Sequence, residues 1–178
     1  NIERYLTETI LDEFPGDHIH AEELSNTQPV EGRTWVIDPI DGTTNFMHNY
    51  RLSSISVALL SQGKVIFGAV YNPFNGELFH ARLGEGAYLN DRLIHVADRP
   101  LDVAVVAMGT CPYYRDTLGE NTFAFARDLY FRGGDMRRRF AGAGHRLFVD
   151  FLYFQCYNIK KYIFGDNLMN KIDYVKGI

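Results

Sequence analysis

The sequence predicts an α/β chain, and three observations carry that expectation. Ile2, Leu6, Ile10 and Phe14 recur at helical spacing, with Glu3, Arg4, Glu8, Asp12 and Glu13 on the other side. A train of β-rich runs follows at residues 54–60, 64–71 and 77–81, each closed by a turn signal. A second helical pattern covers residues 117–131. With 178 residues, 46% of them hydrophobic and 14% aromatic, the chain is long enough for one domain with a substantial core.

Composition also excludes partners. A net charge of −4 gives no basic footprint for nucleic acid, and no apolar run approaches the roughly 20 residues of a membrane helix. The chain opens on Asn1-Ile2-Glu3-Arg4, which is not a signal peptide. Cys111 and Cys156 have neither metal nor redox spacing and read as buried thiols of a reducing, cytoplasmic protein.

The first helix is expected over residues 2–14 and is stopped by Pro15-Gly16. A short strand-like approach at 19–23 runs into Glu22 and Glu23, and a polar loop with Pro29 and Gly32 follows. Trp35, Val36 and Ile37 then form a β-rich apolar run. Pro39 removes a backbone donor, so regular pairing is expected to stop where Asp38 and Asp41 stand. Gly42 leaves the backbone open, and Thr43 and Thr44 are candidate caps for a helical turn. Two acids at a strand exit, followed by amides and hydroxyls, suit a hard cation and an anionic substrate. Read alone, the pair is more simply a turn with two solvated aspartates.

Further along, Ser61-Gln62-Gly63 signals a hairpin and residues 72–76 a second turn. Gly84-Glu85-Gly86 lacks the third glycine of a dinucleotide loop and reads as a turn between strands. Residues 92–96 and 102–108 are strand candidates. The helix at 117–131 is expected to turn Phe123, Ala126, Leu129 and Tyr130 to the core and to end at Gly133-Gly134. Arg137-Arg138-Arg139 fits a phosphate patch or a solvated edge. His48 has no partner histidine at zinc spacing and reads as a loop residue.

The string Asp38-Pro39-Ile40-Asp41-Gly42-Thr43-Thr44-Asn45-Phe46 resembles the signature of the inositol monophosphatase family, lithium-sensitive and magnesium-dependent phosphatases. Tyr71-Asn72-Pro73, Glu77-Leu78-Phe79 and Gly86-Ala87-Tyr88-Leu89-Asn90 resemble that family's central meander, and Ala21-Glu22-Glu23 stands where the family has Gly-Glu-Glu. The resemblance implies a layered αβαβα sandwich of the inositol monophosphatase and fructose-1,6-bisphosphatase type, in a single domain over residues 1–178 and as a homodimer. It implies that Glu22, Asp38 and the Ile40 carbonyl hold one Mg²⁺, and that Asp38 and Asp41 share a second. The Gly42 and Thr43 amides would cradle phosphate and the Thr43 hydroxyl would position water, with Thr44 beside the substrate. Arg138, Arg139 and Ala143 follow the pattern Arg-Arg-x-Gly-x-Ala, with Ala141 in the glycine position, which puts Ala143 near the substrate hydroxyls.

Beyond Ala143 the pattern breaks. The family's Trp-Asp string is absent, since Trp35 is the sole tryptophan, leaving Asp150, Asp166 and Asp173 as candidates for a third acid. Ile163-Phe164-Gly165-Asp166-Asn167 again resembles the family's C-terminal strand and helix. The chain is therefore expected to lack an N-terminal helical pair, together with the Asp of a Thr-Asp pair, and an internal segment. The function implied is Mg²⁺-dependent hydrolysis of a small phosphate monoester, first myo-inositol 1-phosphate. The alternatives are fructose 1,6-bisphosphate or another sugar or nucleotide phosphate, or a catalytically inactive relative acting as a binding partner.

Overall fold

A computed structural model describes residues 2–21, 32–95, 105–108, 115–132 and 135–138. Helix α1 spans Ile2–Glu13 and gives way to a turn at Pro15-Gly16, as the breaker pair predicts. Its inward face differs from the expected one. Glu3 is the buried residue, Leu6 and Ile10 are half-buried, and Ile2 and Phe14 are each 41% exposed. Positions 3, 6, 7 and 10 share a helical stripe as readily as 2, 6, 10 and 14 do, and periodicity alone does not choose between them.

The strands β1 (His18–Ala21), β2 (Arg33–Asp41), β3 (Ser54–Ser61), β4 (Lys64–Asn72), β5 (Glu77–Arg82), β6 (Gly86–Leu89) and β7 (Arg92–Ile94) form one seven-stranded sheet in chain order. Only β1 and β2 run parallel in it; every later pair is antiparallel. The turns explain the meander. Gln62 and Gly63 link β3 to β4 with φ of 49° and 71°, the doubly left-handed backbone that matches strand twist in a two-residue hairpin. Four residues, 73–76, join the facing pair Asn72 and Glu77. Gly84 sits in the β5–β6 turn as expected and Gly86 opens β6, where an added Cβ would approach Leu93 Cδ1 to 3.1 Å.

Both faces of the sheet are packed. Val36, Ala58 and Leu60 cluster with Val65 on one, where Val70 and Phe79 also pack with Ala81, Leu89 and Ile94. On the other, Trp35 stacks on Phe14 at 5.7 Å and meets Phe67 edge-on at 6.3 Å, which docks the end of α1. Asp17 fastens the same corner: its Oδ2 accepts from Arg33 Nη2 at 2.7 Å, Arg33 Nε at 3.1 Å and Trp35 Nε1 at 2.7 Å.

Strands β8 (Val105–Met108) and β9 (Asp135–Arg138) pair in parallel, with α3 (Arg115–Phe131) between them in sequence. This is a βαβ unit, the connection that parallel strands require. Ala126 and Leu129 of α3 are buried as expected, whereas Phe123 and Tyr130 are 63% and 65% exposed. The buried stripe is narrower than the aromatic pattern implied. Helices and a mainly antiparallel sheet in layers give the α/β class expected. Glu22, Glu23, Cys111, Gly133-Gly134, Arg139, Ala141, Ala143, Asp150, Cys156, Asp166 and Asp173, with the expected break in the tail, lie outside the described residues.

Candidate active site

Asp38 and Asp41 are three residues apart, and in a regular strand that spacing sends two side chains to opposite faces. The structure resolves the conflict with a bulge. Asp38 faces Ser56 and Asp41 faces Ser54, so three steps along β2 match two steps along β3. The extra residue in the Pro39–Ile40 stretch restores parity, and both carboxylates emerge on the face that carries Val36 and Ala58. Pro39 suits this place because it has no N–H to lose from the ladder. Pairing therefore does not stop at Asp38, as expected, but is interrupted and resumes at Asp41.

The segment that follows is held by short local bonds. Ile40 N–H donates to Asp38 Oδ1 at 3.1 Å, which ties the first carboxylate to the bulge. Gly42 takes φ 83° and ψ 43° and starts α2 (Thr43–Met47) without a side-chain cap. The threonines are therefore not caps: Thr43 Oγ1 instead donates to the Ile40 carbonyl at 3.1 Å. The first intrahelical bond of α2 runs from Phe46 N–H to the Gly42 carbonyl at 3.0 Å, so the Thr43 amide precedes the helical ladder. Asn45, 5% exposed, closes the loop below: its Nδ2 donates to the Leu52 carbonyl at 3.0 Å and its carbonyl accepts from Tyr50 at 2.9 Å. Ser53 Oγ donates to the Gly42 carbonyl at 3.3 Å.

Of the residues predicted for the site, Asp38, Ile40, Asp41, Gly42, Thr43 and Thr44 thus occupy one bulge and the turn after it. The described part of β1 ends at Ala21 opposite Ile37, one step short of Glu22 and of Asp38. Among the described residues no group of three or more His, Cys, Asp or Glu side chains gathers around a metal position. The donors that are present, two carboxylates on one face and a carbonyl between them, are hard oxygens, the set that suits a magnesium-type cation. Among the described histidines, His48 stacks on Tyr50 at 5.9 Å, and burial lowers the His20 pKa, which favours its neutral form.

Sequence reading missed Ser54 and Ser56. Both are 2% exposed, and neither hydroxyl has a hydrogen-bond partner. A Ser-x-Ser spacing at the start of a strand paired with the acid-bearing strand was the available signal, but it acquires meaning only once the register is known.

With this geometry in view, the relatives can be placed. The model of the inositol monophosphatase family matches residues 1–147. The chain belongs to the inositol monophosphatase family. It is 43% identical over 103 residues to inositol monophosphatase 2 of Saccharomyces cerevisiae, covering 56% of this chain and 35% of that protein. It is 33% identical over 145 residues to a putative Nus factor SuhB of Neisseria meningitidis, covering 80% and 55%. Among solved structures, the extragenic suppressor protein suhB of Bartonella henselae superposes with a TM-score of 0.70 at 31% identity, over 80% of this chain and 55% of that one. An IMPase of Thermotoga maritima gives 0.67 at 31% identity, over 78% and 52%. The fold is thus the layered sandwich of these proteins. The chain spans about half, or less, of the length of the relatives it matches.

Proposed function

We propose that the protein hydrolyses a small phosphate monoester, with myo-inositol 1-phosphate first among candidates, and does so with Mg²⁺. The observation that carries this reading is the bulge that brings Asp38 and Asp41 to one face beside the Ile40 carbonyl and Thr43. Family membership supports the reaction class, and relatives named inositol-1-monophosphatase include the Rhizobium meliloti protein, 40% identical over 110 residues.

Bound Mg²⁺ would neutralise phosphoryl charge and lower the pKa of water. Asp38, the Ile40 carbonyl and Asp41 would hold it. Glu22 would join them, as the resemblance to the family implies; the described part of β1 ends at Ala21, opposite Ile37. Because the Thr43 hydroxyl spends its proton on the Ile40 carbonyl, its oxygen remains an acceptor. Thr43 Oγ1 is thereby suited to take a hydrogen bond from the attacking water and aim its lone pair at phosphorus. The Gly42 and Thr43 amides would hold phosphate oxygens, with Thr44 at the substrate's edge and Ala143 near its hydroxyls. Water adds to phosphorus, the ester P–O bond breaks, and the alcohol leaves with a proton. The homodimer and lithium sensitivity belong to the same reading. No helix among the described residues is long and apolar enough to cross a membrane.

The test is Mg²⁺-dependent phosphate release from myo-inositol 1-phosphate by the purified protein, beside Asp38→Asn and Asp41→Asn. Turnover that both substitutions reduce to background, with folding retained, is the expected result. Turnover that persists in both variants, or no turnover with any phosphate monoester offered, would overturn the reading.

A further inference from the structure

Each acid of the bulge has a serine directly opposite it on β3: Ser56 faces Asp38 and Ser54 faces Asp41. Residues opposed across an antiparallel pair share a face, with Cβ atoms about 4.5–5.5 Å apart. Both hydroxyls are sealed from solvent and have no hydrogen-bond partner. A buried hydroxyl left unpaired is destabilising, so two such serines on one strand, each opposite a carboxylate, call for a reason. Val36 and Ala58, one row further along, show that an apolar pair fits this surface well.

We propose that Ser56 and Ser54 are positioning residues for the cation site, each donating its hydroxyl proton to the carboxylate opposite when a cation draws that carboxylate into its bound orientation. The inference rests on the reading of Asp38 and Asp41 as cation ligands. Asp38 is already fixed at Oδ1 by the Ile40 amide. A second donor from β3 would hold the carboxylate in the orientation that binds the ion. Such outer partners orient a ligating carboxylate, and their loss typically weakens metal affinity about 10–100-fold. Without a cation the two unpaired hydroxyls lower stability; with one, they are satisfied.

The experiment is calorimetric titration of the purified protein with Mg²⁺ alone, paired with melting curves in EDTA and in saturating Mg²⁺. Ser56→Ala is expected to raise the Mg²⁺ dissociation constant about tenfold or more. It should leave the melting temperature in EDTA unchanged or higher, because an unpaired hydroxyl has been removed. Ser56→Thr, which keeps a hydroxyl and suits a strand, should recover most of the affinity, and Ser54→Ala should behave as Ser56→Ala does. A merely structural serine would instead lower the EDTA melting temperature and leave the affinity alone, and that result overturns the inference. If Ser56→Ala does not fold, Ser56→Cys, close in size and a weak donor, takes its place with the same expectation. Wild-type protein that binds no Mg²⁺ overturns the cation reading itself, and this inference with it. Wild-type binding unchanged by the serine substitutions overturns this inference alone.

Discussion

Asp41 lies opposite Ser54, on the same side of the sheet as Asp38, although three residues separate the two acids in the chain. The number of residues between the carboxylates matters as much as their identity. Deleting Ile40 would remove the extra residue of the bulge and leave Asp41 opposite Ser54 on the same face, but without the carbonyl that lies between the acids. We expect the variant to keep its β-sheet circular dichroism but to lose Mg²⁺-dependent stabilisation and turnover. Unchanged turnover would mean that the bulge and the Ile40 carbonyl do not contribute to the site.

The Asp17 corner is a stability element with a defined pH window. Its side chain is only 8% exposed, so solvent screens it little. Burial by itself raises the Asp17 pKa, but the donors from Arg33 and Trp35 outweigh it and hold the carboxyl below its ordinary range. A folded-state value below the unfolded one means that this stability is complete above about pH 4 and is lost as pH falls through the folded value. Asp17→Asn should cost about 1–3 kcal/mol at pH 7. Urea unfolding of the two proteins should converge as pH falls through the folded value; a difference that persists below it would place its origin in packing.

Gly42 adopts the left-handed conformation that opens α2. An alanine there costs roughly 1–2 kcal/mol in backbone strain, whereas asparagine tolerates the region better. Gly42→Ala should therefore melt at a lower temperature than Gly42→Asn, as read by scanning calorimetry. Equal melting temperatures would show that the turn relaxes to another conformation.

Asn45 joins α2 to the approach to β3 through the Leu52 carbonyl. Asn45→Ala leaves that acceptor unpaired, at a cost of about 1–3 kcal/mol. The loss should appear in chemical denaturation and as faster amide exchange at Tyr50, whose N–H bonds to the Asn45 carbonyl.

The meander was legible from sequence because its turns are written in residues that only turns favour: Gln62-Gly63, the Asn72–Gly76 segment and Gly84 each stand where the strands reverse. The acids were legible because the string from Asp38 to Phe46 is dense and specific. Their arrangement was not. A bulge exists only relative to a partner strand, so the sequence of β2 alone reads as a strand ending at Pro39. Glu3 was assigned to solvent because charge outweighs helical phase in such a reading, yet burial places it inward. Phe123 and Tyr130 failed the opposite way: aromatic identity suggested burial on a helix whose buried residues among those described are Ala126 and Leu129.

The chain-order pairing of β2 to β7 also sets how the molecule assembles. Strands β3 to β7 are joined by turns of two to four residues, so each can close on its neighbour with little loss of chain entropy. The serine-bearing strand thus belongs to the quickest-forming part of the sheet, while β1 must wait for a parallel pairing made across a longer connection. During synthesis the acids emerge before the strand that orients them, so they have no fixed geometry until β3 arrives. In native-state exchange, amides of β3 and β4 should be the slowest to open and those of β1 among the first.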